Sequence, residues 1–104
     1  MNSLEKVLAN CSQIESTLKH ATAGIDAQRL REIEKLCSEM TANSDPYISR
    51  NASSLASKAR QFFGPRRDVT ATDEGAARLL NEMRLSLLRA LREQATLKLR
   101  EQKP

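Results

Sequence analysis

His20, Cys11 and Cys37 are the only side chains of this 104-residue chain whose ordinary pKa values lie between about 6 and 9. Any acid–base or nucleophilic chemistry near neutral pH would have to start from them. A histidine on a helix face can accept a phosphoryl group or act as a general base, but a base needs a neighbour to orient it. The segment LKHATAG around His20 supplies none. His20 reads as an exposed residue near a helix C-terminus, where positive charge is mildly favourable. Two cysteines are too few for a disulfide scaffold and lack the spacing of metal ligands. Both stand on apolar seams, where a thiol behaves as a small hydrophobe and its pKa rises. We read them as reduced core residues, close enough for a disulfide between the first two helices to be geometrically possible. Glu32 and Glu39 share a helix face with Glu34 nearby, but nothing in the pattern buries them or perturbs their titration, so they form a solvated face. There is no Gly-rich phosphate loop, nucleophile elbow or zinc signature. The sequence points away from an enzyme and implies no catalytic residue, cofactor or metal.

The arginines are the second group with chemical potential. Arg66, Arg67, Arg84, Arg89, Arg92 and Arg100 carry the planar fork that suits phosphate or carboxylate. Residues 1–64 hold eight Lys/Arg against seven Asp/Glu, and residues 65–104 hold nine against six, within a net charge of +4. That is a tilt rather than the dense basic patch of a dedicated nucleic-acid binder. Glu82, Glu93 and Glu101 interrupt it, and no aromatic platform for stacking bases accompanies it. A regulatory nucleic-acid-binding protein using the Arg-rich region 66–100 is therefore the alternative reading. Arg84 differs from the rest because it falls inside an apolar arc. There it lays its stem on apolar surface, or pairs with a carboxylate across an interface.

The elements that must position these residues are helical. Gly and Pro together number six, and the aromatics are Tyr47, Phe62 and Phe63. The core is left to Leu, Ile, Val, Met and Ala, which favours packed helices over sheet. No run of about 18 apolar residues could cross a membrane. The opening MNSLEKVLANCSQ lacks the basic region and apolar core of a signal peptide, so a cytoplasmic location is expected.

We expect one all-α domain over residues 1–104, an antiparallel up-down bundle of four helices at about 3–23, 26–43, 46–63 and 72–101, with a loop or hinge at 64–71. Asn2 and Glu5 have the form of a capping box. Leu4, Val7, Cys11, Ile14, Leu18 and Ala21 follow at the alternating spacing of a left-handed packing seam. Gly24 fits the C′ position after the helix. Asp26 caps the second helix, with Ile25 and Leu30 placed for a hydrophobic staple. Leu30, Ile33, Cys37 and Met40 continue the seam. With so short a turn between them, facing residues of the two helices should have numbers adding to about 48, which sets Leu8 against Met40, Cys11 against Cys37 and Leu18 against Leu30. Asp45-Pro46 opens the third helix as cap and N1 residue. Its inner face is Ile48, Ala52, Leu55, Ala59 and Phe62, and Gly64-Pro65 ends it. Thr72 caps the fourth, where Arg78–Glu82 and Arg89–Glu93 are spaced for ion pairs.

The fourth helix carries the most information. At about 100° per residue its apolar side chains, Ala76, Leu79, Leu80, Met83, Leu87, Leu88, Ala90, Leu91, Ala95, Leu97 and Leu99, spread over roughly 200°. A surface helix needs a stripe of only about 100°. The excess means two neighbours at once, or another chain. At roughly 43 Å this helix should also overhang shorter neighbours of roughly 27 Å by its last two turns or more, which carry Leu97 and Leu99. The leading expectation is a non-enzymatic protein-interaction module, a small adaptor or assembly protein. It would bind a protein partner or a second copy as a homodimer through Leu80, Met83, Arg84, Leu87, Leu88, Leu91, Ala95, Leu97 and Leu99. No membrane partner is expected.

Overall fold

The computed structural model describes residues 2–66 and 68–102. Its four helices are α1 (Ser3–Leu18), α2 (Ala27–Thr41), α3 (Pro46–Phe63) and α4, residues 73–102. The described residues are 79% helical, and no strand occurs among them, so the bundle class holds. Around the bundle the order is α1, α2, α3, α4. α1 lies against α2 and the C-terminal half of α4, while α3 lies against α2 and the whole of α4. The body measures 50 × 22 × 22 Å.

Each start follows from its capping residue. The Asn2 side chain accepts from Glu5 N at 2.8 Å, and Glu5 accepts in return from Asn2 N at 3.2 Å. Asp26 accepts from Arg29 N at 3.0 Å, and this backbone bond, with the Arg29 side chain, holds its carboxyl below the usual range. Asp45 accepts from Tyr47 N at 2.8 Å and also from Gln94 of α4 at 2.9 Å, so it ties the third helix to the fourth. The Gln94 bond is the main reason its carboxyl is held below the usual range. Thr72 accepts from Gly75 N at 3.0 Å.

The first helix is shorter than expected. It ends at Leu18 rather than near residue 23. His20, not Gly24, takes the left-handed conformation just beyond it, at φ 61°. The reason is tertiary. The connection must reach the end of α3, where Gly24 N donates to Phe62 O at 3.1 Å and Asp26 N donates to Phe63 O at 2.9 Å. These bonds satisfy carbonyls that the end of a helix leaves free. Gly24 makes the crossing at φ 155°, where a side chain is strained. Two inward N–H groups flanking residue 25 turn its side chain outward. Ile25 is 72% exposed and does not close the expected staple on Leu30. The second helix likewise begins one residue late and stops at Thr41.

The core joins all four helices. Leu4, Val7, Cys11, Ile14 and Leu18 meet Ile33, Leu36, Cys37 and Met40, and both meet the inner faces of α3 and α4. Phe62 and Phe63 pack edge to face at 4.8 Å, and burying each contributes about 1.5–3 kcal/mol. Asn10 is a buried polar residue at the α1–α2 contact. It donates to Leu36 O at 3.5 Å and to Glu39 at 3.2 Å, which fits the expected helix register.

The expected overhang of α4 is absent. Gln94, Lys98, Glu101 and Gln102 line a cleft shared with Ser3, Leu4 and residues 43–46. At the other end Ala76, Ala77 and Leu80 line a cleft with Ala21, Thr22 and Ala23. Because α1 stops early, the connection after it folds over the first turns of α4. The loop before α4 is pressed onto the same turns. A Cβ at Gly75 would stand 2.1 Å from the Val69 carbonyl oxygen. Alanine is favoured over glycine in helices by about 1 kcal/mol, but forced overpacking costs about 1–3 kcal/mol. The contact here is with backbone, which yields least, so Gly75→Ala should lose about 1–2 kcal/mol net. Urea denaturation would measure it, and a stabilised variant would show that the loop is not held there.

Candidate interaction surface on the fourth helix

The buried residues of α4 are Leu79, Met83, Leu88, Leu91 and Ala95. Their spacings are four, five, three and four. A step of five rotates an α-helical position by about 140° off the stripe. The helix absorbs it in a π turn over Glu82–Leu87, whose wider i→i+5 winding takes up one extra residue. Met83 and Leu88 then both point inward, each 0% exposed. Leu85, about 200° from Met83 around the helix, faces outward at 65% exposure.

This accounts for the wide apolar arc. Two neighbours, α1 and α3, each cover part of it, and the π turn shifts the stripe halfway along. Of the nine residues expected to meet a partner, Met83, Leu88, Leu91 and Ala95 are fully buried inside this chain. Leu80, Leu87 and Leu99 are half-buried against the same core. Arg84 pairs with Glu15 of α1 at 3.4 Å, and one atom of each side chain, Arg84 Nε and Glu15 Oε2, is buried without a hydrogen-bond partner. Leu97 alone of the nine is exposed, at 49%.

Leu85 was missed because it stands about 200° from Met83, outside the apolar arc that was read. The signal that could have found it is its four-residue spacing from Arg89, which sets it on the polar face. With Leu85 included, the solvent side of α4 reads Ala77, Asn81, Leu85, Arg89, Glu93 and Leu97, every one exposed. Arg89 and Glu93 form the expected ion pair at 2.9 Å and stay 74% and 68% exposed. The expected Arg78–Glu82 pair gives way to Lys58–Glu82 at 2.7 Å, which ties the start of the π turn to α3.

The other candidates stay apart from one another. His20 is exposed on the α1–α2 connection. Cys11 and Cys37 are free and buried, and burial pushes their thiols up to about 11 and about 12. Glu34 pairs with Arg60 at 2.7 Å, Glu39 accepts from Asn10, and Glu32 is exposed. Arg66 pairs with Asp68 at 2.9 Å, and Arg67 lies outside the described residues. Among the described residues no three His, Cys, Asp or Glu side chains stand together as metal ligands, and no helix is long and apolar enough to cross a membrane. Compared with known proteins, the chain matches no family model, no curated protein and no solved structure.

Proposed function

We propose that this chain is a non-enzymatic protein-interaction module that docks through the solvent side of α4. The observation that carries this reading is the pair Leu85 and Leu97, 65% and 49% exposed on one side of a helix whose opposite side already completes the core. The other exposed large apolar residues, Ile25, Tyr47 and Val69, are scattered singly over turns, loops and the start of a helix, and isolated residues of that kind are ordinary. Leu85 and Leu97 instead share a helix face with small and charged residues between them, the composition of a docking helix. The nucleic-acid alternative draws less support, since Arg66, Arg84 and Arg89 already face carboxylates of the same chain.

A photo-crosslinking amino acid placed at 85 or 97, in cells that make the protein, tests the reading. Exposed positions Ser12 on α1 and Ser54 on α3 serve as controls. Protein adducts should form at 85 and 97 and not at 12 and 54. Equal or absent adducts at the four positions would remove this function.

A further inference from the structure

The solvent side of α4 is complementary to itself about position 91. Leu85 and Leu97 each lie six residues from Leu91, and Arg89 and Glu93 each lie two residues from it. Two copies of α4 laid antiparallel, with position 91 opposite position 91, place Leu85 against the partner's Leu97 and Arg89 against the partner's Glu93. The two-fold axis repeats both pairs. We propose that this chain forms an antiparallel homodimer through the outer face of α4, with its two-fold axis at position 91. The proposal rests on the interaction-surface reading and names the occupant of that surface.

Three observations favour a second copy in this orientation. First, the charges alternate only when the helices run antiparallel. A parallel pair would set Arg89 against Arg89 and Glu93 against Glu93, and like charges facing each other cost association energy. Second, Arg89 and Glu93 already bridge within the chain at 2.9 Å while remaining mostly exposed, so the dimer closes a ring of four alternating charges. The leucine pairs flank that ring on both sides, as apolar anchors around a central polar cluster. Third, the contact is isologous, so it closes at two copies and leaves no open end to propagate. The π turn tightens this row, because twelve residues of plain α-helix would set Leu85 and Leu97 about 120° apart and the wider turn at Glu82–Leu87 takes up part of that drift. A contact along one helix is small beside the roughly 1,200–2,000 Å² of stable interfaces. The dimer should therefore dissociate on dilution.

Light scattering after size exclusion, from about 10 µM to about 1 mM, reads the result. The wild-type mass should rise from the 11.6 kDa of one chain toward twofold. Arg89→Glu and Glu93→Arg should each stay monomeric alone, because each sets like charges opposite one another. Mixed in equal amounts they should regain the twofold mass, since one variant then carries carboxylates at both 89 and 93 and the other guanidinium groups at both. Both positions are exposed, so helicity by circular dichroism should match wild type. Leu85→Ser, with the charges untouched, should also lower the dimer fraction. A wild type that is monomeric throughout overturns the dimer, and a mixture that stays monomeric while wild type dimerises overturns this pairing. If wild type is monomeric while probes at 85 and 97 capture a different protein, the docking surface stands and the self-pairing falls. If those probes capture nothing, both fall.

Discussion

Deleting Ser86 leaves this protein folded, with its stability retained or raised, whereas deleting Ser57 unfolds it. Both residues are exposed serines inside helices, so the contrast is one of register. Removing a residue from an ordinary α-helix rotates everything on one side by about 100° relative to the other. In α3 the cut falls between Leu55 and Ala56 on one side and Ala59, Phe62 and Phe63 on the other, all buried. One set must leave the core. Losing even the two phenylalanines costs about 3–5 kcal/mol each by the usual large-to-small scale, against a total stability of about 5–15 kcal/mol for a domain. In α4 the same cut shortens the step from Met83 to Leu88 from five to four. The π turn becomes a plain α turn, and Leu79, Met83, Leu88, Leu91 and Ala95 stay on one stripe. Urea denaturation with circular dichroism separates the outcomes. If the Ser86 deletion loses as much as the Ser57 deletion, the π turn does not absorb the extra residue and the inner face of α4 has been misassigned. The Ser86 deletion also carries a second readout. Leu85 then stands three, seven and eleven positions before Arg89, Glu93 and Leu97, spacings that keep it on their face, so crosslinking at 85 should persist with the fold.

The readable part of the fold was the part governed by local chemistry. Asn2, Asp26, Asp45 and Thr72 each accept a first-turn N–H in the structure, because a short polar side chain before an apolar repeat has few other roles. The α3 limits, Pro46 and Phe63, followed from a proline that suits N1 and a Gly-Pro pair that stops a helix. The seams of α1 and α2 were legible because their spacing is regular. The unreadable parts are those where a distant element overrides a local preference. Lys19 to Ala23 have helix-compatible composition, yet the chain leaves the helix at Leu18 so that Gly24 and Asp26 can reach the carbonyls of Phe62 and Phe63. The carbonyls that impose this requirement belong to Phe62 and Phe63, far along the chain from His20. The surface on α4 was half legible. The arc was seen to be too wide, but most of its width is met by α1 and α3 within the chain. Leu97 was read into the apolar arc, yet it is exposed, because a fixed period cannot represent a turn of a different pitch. The inner face of a helix and its outer face are two readings of one phase, and an error in the phase exchanges residues between them.

Alkaline pH should destabilise this protein steeply, and the two thiols should be the cause. Cys11 and Cys37 are 0% and 1% exposed in the shared α1–α2 layer. Burial, which penalises the thiolate, raises them from the ordinary 9.0 to about 11 and about 12, with Cys11 adding repulsion on Cys37. Their folded pKa values thus lie above their unfolded ones. Below pH 9 both states hold the thiol protons, and the stabilisation is fully present. Between pH 9 and 11 the unfolded chain releases protons that the folded chain keeps, so stability falls as pH rises. The slope is about 1.4 kcal/mol per pH unit for each thiol. From pH 9 to pH 10.5 the pair should cost about 3 kcal/mol, a large share of the roughly 5–15 kcal/mol that holds a domain together. Lysine, tyrosine and arginine groups also begin to titrate there, so the comparison must be made against a chain lacking the thiols. Cys11→Ala with Cys37→Ala will lower stability at every pH through the cavities it opens. That offset does not change with pH, and the slope of unfolding free energy against pH should flatten by nearly the whole thiol contribution. Parallel slopes in the two proteins would mean that the thiols are accessible to water in the folded chain and that α1 and α2 do not close over them.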